Sequence, residues 1–167
     1  MDPIEATRNW VESFVVKLGL CPFAAQPMLE NTVRFCACTS DVLAEQLTFV
    51  RQEISLLQRK SSQEIMTTMI VFPQGLTNFY DFLDFIEANE VQLSQLQLGD
   101  FVQLAHFHPH YMFAGVPPED PANATNRSPF PVIHLLRVKE MSDAIKSYPE
   151  VDKIPERNIA LLRNLFS

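Results

Sequence analysis

The chain has 167 residues and a formal net charge of −7. That length suits one domain with a sizeable core, so we expect residues 1–167 to form a single domain. The acidic balance argues against DNA binding but is compatible with a small anionic ligand held by a few arginines, and no apolar run is long enough to cross a membrane. The three cysteines and the lack of an export signal predict a cytoplasmic protein.

The elements are predicted in chain order from caps and apolar periodicity. Asp2 and Pro3 are typical of a helix start, and Gly19 is typical of its end. A second helix is expected after Ser40 or Asp41, and a third after Thr77 or Asn78 with an ambiguous tail at 91–100. Alternating or continuous apolar runs predict strands, and two short helices close the chain. The predicted strands are 32–39, 66–72, 101–108 and 132–138, and the closing helices are 141–147 and 155–166.

The resulting order, α-β-α-β-α-β-β-α-α, predicts an α+β fold. Helices join the first three strands, so we expect those strands to be parallel, with the fourth returning antiparallel. This gives a two-layer sandwich, a four-stranded mixed sheet with its helices mainly on one face. The order resembles the C-terminal domain of the third translation initiation factor, and a thioredoxin-like fold is the alternative.

The segment 106–137 is the predicted functional region, because it holds all four histidines and six of the twelve prolines. A long polar loop between two apolar strands is usually functional. His106 and His108 alternate along a strand and can face one metal, with His134 of the next strand as a further ligand. The alternatives for His134 are an acid–base group and a core histidine bonded to a backbone carbonyl.

Arginines add a predicted anion site to this region. The guanidinium of Arg127 requires a carboxylate or phosphate, which is either Glu119 or Asp120 of the chain or a ligand. Arg34 and Arg137 lie on strands, where an unpaired arginine is costly. Other polar residues of the loop are binding candidates or simply hold its shape. They are Asn123, Asn126 and Ser128.

The sequence Cys21-Pro22-Phe23 is similar to the Cys-Pro-Phe of some glutathione-transferase-like redox sites. A redox cysteine of that kind begins a helix, whereas Cys21 is predicted to follow the end of one, where the helix dipole disfavours a thiolate. We therefore interpret Cys21 as a buried apolar residue. Cys36 and Cys38 are expected in the core of the first strand.

Taken together, four stretches resemble the bacterial family called DUF1415, and the Thr-Asn-Arg-Ser-Pro run at 125–129 makes the resemblance specific. The stretches are 20–24, 107–115, 123–137 and 156–158. Among the histidines, the resemblance favours His108 and His134 over His106 and His110. It carries no established activity, so the chemistry has to be argued from the residues.

Three functions remain open at this point. The first is a metal-independent enzyme acting on an anionic small molecule, with His108 or His134 as general acid or base. Tyr111 and Asn126 would orient the substrate, and Arg127 and Arg137 would bind its charge. The second is a metalloprotein with a divalent transition metal on His108 and His134, for which His106 or an acidic residue is the candidate third ligand. The third is a non-catalytic module whose long loop docks on a protein or RNA partner.

Overall fold

The computed structural model describes all 167 residues of the chain. It contains four strands and six α-helices, and the first helix continues as a wider π-helical segment over Val11–Val16. The helices are α1 (Pro3–Trp10), α2 (Ala25–Leu29), α3 (Leu43–Arg59), α4 (Phe79–Gln95), α5 (Val138–Lys146) and α6 (Ile154–Leu165). The strands are β1 (Val33–Ala37), β2 (Thr67–Val71), β3 (Val102–Phe107) and β4 (Val132–Arg137).

The ends of the first helix form as the sequence predicts. The Asp2 carboxylate accepts hydrogen bonds from the N–H groups of Ile4 and Glu5, which satisfies two donors of the first turn. Gly19 has a φ of 65°, a left-handed conformation that glycine adopts without strain. The Leu20 N–H then bonds back to the Val15 carbonyl at 2.9 Å, and the chain turns away from the helix.

The sheet is mixed, with strand order β1-β2-β4-β3. β1 and β2 are parallel, and β4 runs antiparallel between β2 and β3. The first three strands therefore point the same way and the fourth returns against them. The predicted α+β fold with a four-stranded mixed sheet is confirmed.

The two long helices, α3 and α4, pack on one face of this sheet over the main apolar core. The opposite face carries a smaller cluster in which Val11 packs against Met69, Val71 and Val132. This second face is covered mainly by the amino-terminal helical segment. None of the helices combines the length and apolar character needed to cross a membrane.

Three local features differ from the sequence expectations. α2 was not predicted, because its five residues are too few for a periodic pattern and include Pro27. α3 begins after Val42 without a side-chain cap, rather than directly after Ser40 or Asp41. The ambiguous tail of α4 is helical as far as Gln95.

Candidate functional site

His108 is a structural residue in the interior and not an exposed acid or base. Its side chain has no solvent exposure, and it packs against the rings of Phe79 and Phe82. Nδ1 accepts the His110 N–H at 3.0 Å, so the proton of the neutral ring is on Nε2, which lies 2.9 Å from the Leu76 carbonyl. Burial lowers the pKa of His108. Because both ring nitrogens are used, the predicted catalytic role of His108 does not fit the structure.

The polar residues of the long loop mainly bond to its own backbone. Asn123 is fully buried, accepts the Phe113 N–H at 2.9 Å and donates to the Pro117 carbonyl at 2.8 Å. Asn126 donates a longer bond of 3.4 Å to the His106 carbonyl. Ser128, also buried, bonds to a nearby carbonyl within the loop. These side chains were predicted to bind a ligand, but their hydrogen bonds fix the shape of the loop.

All three arginines of the predicted anion site have partners within the chain. Arg127 donates to the carbonyl oxygens of Tyr111 at 2.9 Å and Pro118 at 2.7 Å, and so ties two parts of the loop together. Arg34 forms an ion pair of 2.8 Å with Glu53 of α3. Neither guanidinium is placed to bind a ligand shared with the other.

Arg137 is the third arginine, and its exposed fraction is only 6%. Its guanidinium donates to the carbonyl oxygens of Leu57, Lys60 and Ile65 at 2.7 to 3.0 Å. The first two lie at the C-terminal end of α3, where the helix dipole favours a positive charge. Arg137 also lies at the end of the β3–β4 pair opposite to the loop held by Arg127. The predicted anion site of three arginines is therefore wrong.

The predicted metal site is excluded by the register of the two strands. His134 lies opposite Ala105, and His106 lies opposite Ile133. Neighbouring positions of a sheet point to opposite faces, so His106 faces α4, where it meets Phe82, while His134 faces the other side. His106, His108 and His134 cannot share a metal, and no group of three or more potential ligands gathers elsewhere in the chain.

Tyr111 and His106 lie together on the α4 side of the sheet. Their ring centroids are 5.7 Å apart, and Tyr111 also packs on Phe79. Burial raises the pKa of the Tyr111 hydroxyl, with a smaller opposite effect of hydrogen bonding to Asn126. Burial lowers the pKa of His106. Tyr111 is thus remote from His134, the remaining predicted catalytic residue, which lies on the other face.

A cavity of about 390 Å³ lies on that other face, between the sheet, α5 and the segment from Cys21 to Glu30. This volume is within the range of small-molecule sites. Most of its wall is apolar, supplied by both strands of the β3–β4 pair and by the flanking segments. The apolar wall residues include Phe23, Met66, Ala105, Phe107, Leu136 and Met141.

His134 lines this cavity from the centre of the sheet. Its imidazole forms no hydrogen bond within the chain, and its Nε2 is sealed from solvent without a partner. Buried polar atoms almost always have partners, so an unpaired nitrogen beside a cavity is informative. Burial lowers the pKa of His134 to about 4, and the ring is neutral at physiological pH.

Cys21 forms another part of the cavity wall. It is partly exposed, so our interpretation of it as a buried apolar residue is wrong, whereas Cys36 and Cys38 are buried as expected. Burial raises the pKa of the Cys21 thiol, and the nearby backbone N–H groups of Phe23 and Ala24 lower it by less. Cys21 is therefore a protonated thiol at neutral pH.

A second cavity, of about 320 Å³, lies near the N-terminal ends of α3 and α4. Its polar groups are the carboxylates of Asp41, Asp81 and Asp84 and the amide of Gln46. Asp81 is in the first turn of α4, where a carboxylate complements the helix dipole. This cavity contains no histidine or cysteine and offers less chemistry than the first.

His134 was among the candidates predicted from the sequence, and it lines the cavity, but the opposite wall of the cavity was not predicted. The signal was present, since the stretches 20–24 and 123–137, which carried the family resemblance, both contribute to the cavity. Cys21 was discounted because it follows the end of the first helix, and the short α2 that begins four residues after it was not predicted.

The comparisons with known proteins concern the whole chain. The family model described as "Protein of unknown function (DUF1415)" matches residues 2–167. No curated protein and no solved structure matches the chain. The likeness to the initiation-factor domain and the thioredoxin-like alternative therefore stay predictions. The match spans essentially every element of the fold and all the residues of the cavity, and the chain belongs to the DUF1415 family.

Proposed function

We propose that this protein binds a small, largely apolar molecule in the cavity beside His134, with the imidazole as its main polar contact. The observation that carries the proposal is an imidazole without any hydrogen-bond partner in the wall of an apolar cavity. The second ring nitrogen, Nδ1, also has no hydrogen-bond partner within the chain but, unlike Nε2, is not sealed. A ligand with one hydrogen-bonding group can therefore bond to Nδ1 from the cavity, and such a bond contributes about 1 kcal/mol.

The charges around the cavity favour a neutral ligand. Its wall includes the carboxylates of Glu30 and Glu140 and a single basic residue, Arg137. The Arg137 guanidinium already bonds through Nε and Nη2 to three backbone carbonyls. An anion would meet two carboxylates and one guanidinium that is held by the backbone, so we replace the predicted anionic ligand with a neutral one.

Acid–base chemistry at this site rests on His134 alone. The neutral imidazole can accept a proton or hydrogen bond at one nitrogen and donate at the other. In an enzymatic form of this proposal, His134 acts as general base, and the rate falls as the pH approaches about 4.

The three cysteines are free thiols, which supports the expected reducing, cytoplasmic compartment.

Binding of neutral fragments tests the proposal. Benzyl alcohol, benzamide and cyclohexanone each combine an apolar body with one hydrogen-bonding group. Trp10, the single tryptophan, reports on the cavity because its ring lies 5.2 Å from that of Phe107 in the wall. We expect at least one fragment to change Trp10 fluorescence in a saturable way and to raise the melting temperature.

The matched variants are His134→Phe and His110→Phe, since His110 is an exposed histidine outside the cavity. Loss of one hydrogen bond predicts an affinity about fivefold weaker in His134→Phe and unchanged in His110→Phe. Equal affinities in both variants would refute His134 as the polar contact. Absence of saturable binding across a broad neutral fragment set would refute the proposal itself.

A further inference from the structure

The cavity wall that contains Cys21 is held by the C-terminal part of the chain. The residues from Gly19 to Ala24 form neither strand nor α-helix. Arg157 of α6 donates to the Gly19 carbonyl at 3.0 Å, and the neighbouring Asn158 donates to the Leu20 carbonyl at 2.8 Å. Two consecutive residues of one helix thus bind two consecutive carbonyls just before Cys21.

Phe23, the aromatic side chain of the same wall, is also held by the C-terminal part of the chain. The ring of Phe23 packs edge-to-face on Tyr148 with centroids 5.8 Å apart. The Tyr148 hydroxyl lies 3.2 Å from a second guanidinium nitrogen of Arg157. Arg157 therefore contacts both the backbone before Cys21 and the aromatic residue that supports Phe23.

The burial of Asn158 indicates that its amide has a specific task. The residue is only 4% exposed, and its Oδ1 is buried without a partner. A buried oxygen without a partner lowers the stability of the fold, and an apolar residue at this position would not have that cost. The hydrogen bond from Nδ2 to the Leu20 carbonyl offsets it. Leu20 is itself 4% exposed, which anchors the start of the wall in the interior.

We propose that Arg157 and Asn158 are positioning residues of the cavity. They fix the place of Cys21 and Phe23 and thereby limit the size of the molecule that the cavity accepts. Neither residue touches the ligand in this account. The size limit rests on the proposed function, whereas the placement of the wall does not.

The rate at which iodoacetamide alkylates Cys21 reports how accessible this part of the cavity wall is, and the measurement needs no ligand. The variants are Arg157→Lys and Asn158→Ala, and the matched control is Arg163→Lys, an exposed arginine of the same helix that pairs with Asp120 away from the cavity. Under native conditions, we expect Cys21 to react about tenfold faster in Asn158→Ala, several-fold faster in Arg157→Lys and at the wild-type rate in the control. Intact-mass and peptide analysis assign the modified cysteine.

Urea unfolding of all three variants separates a local effect from a general loss of stability. Equal Cys21 alkylation rates in Arg157→Lys and Arg163→Lys would overturn the assignment, and Arg157→Lys keeps this test available even where Asn158→Ala does not fold.

The size limit is tested with benzyl alcohol and the larger 4-biphenylmethanol, whose affinity ratio should shift toward the larger probe in Arg157→Lys. An unchanged ratio would overturn the size limit. Faster alkylation without binding of any probe to the wild type would refute the proposed function and support the placement of the wall.

Discussion

The unpaired imidazole of His134 predicts a specific acid sensitivity of the fold. In the unfolded chain, the histidine has an ordinary pKa near 6.5, whereas burial lowers the pKa to about 4 in the folded protein. As the pH falls below about 6.5, the unfolded state takes up the proton first, and the equilibrium shifts toward unfolding. The loss begins below neutrality and stops growing below about pH 4, where both states are protonated.

The size of this loss follows from the gap between the two pKa values. That gap corresponds to about 3 kcal/mol in the free energy of unfolding once the titration is complete. At about pH 4.5, most of it, about 2.5 kcal/mol, is already lost relative to about pH 7.5. Domains are generally stable by only about 5–15 kcal/mol, so the effect is large enough to measure.

Urea unfolding followed by far-ultraviolet circular dichroism at these two pH values is the assay. Wild type should lose about 2–3 kcal/mol more between them than His134→Phe, which cannot titrate. His106 and His108 also have lowered pKa values, but they are present in both proteins and cancel in the comparison. An equal loss in wild type and His134→Phe would refute the reasoning, because it would mean that His134 is not kept neutral by the fold.

Three further outcomes are expected. Arg137→Lys should lower the free energy of unfolding by about 2–4 kcal/mol, since lysine cannot reach the same three carbonyls, and a loss below about 1 kcal/mol in urea unfolding would contradict this structural role. Asn123→Ala should lower the free energy of unfolding by about 2–3 kcal/mol and make the loop 108–131 more sensitive to limited proteolysis, because two buried hydrogen bonds are lost. A variant as resistant to proteolysis as wild type would contradict the role of Asn123 in holding the loop. In the native protein, iodoacetamide should modify Cys21 before Cys36 and Cys38, which should react only on unfolding. If mass analysis showed the opposite order, the assignment of Cys21 to an accessible cavity wall would be contradicted.

The architecture could be predicted from the sequence because its signals are local. Asp2 and Gly19 bound the first helix through cap geometry, and the alternation along β1 places Cys36 on the side of the main core. The direction of the strands followed from the helices that join them. These features depend on a few neighbouring residues, which the sequence shows directly.

The site could be predicted only in part, because strand register is not a local property. A slip of one residue would place His134 on the face of His106, and the long loop between β3 and β4 fixes no register through its turn type. The partners of Arg127 and Arg137 are backbone carbonyls, which leave no pattern in the sequence. For the same reason, the bonds from Asn158 to the wall containing Cys21 could not be foreseen.

Filling the cavity tests the central claim most directly. Ala144 of α5 lines the cavity, and Ala88 of α4 lines the other, acidic one, so Ala144→Leu and Ala88→Leu are matched changes in two helices. Saturation-transfer NMR with benzyl alcohol measures binding to each protein. We predict that binding is lost in Ala144→Leu and retained in wild type and Ala88→Leu, whereas undiminished binding to Ala144→Leu would contradict the claim that the cavity beside His134 is the ligand site.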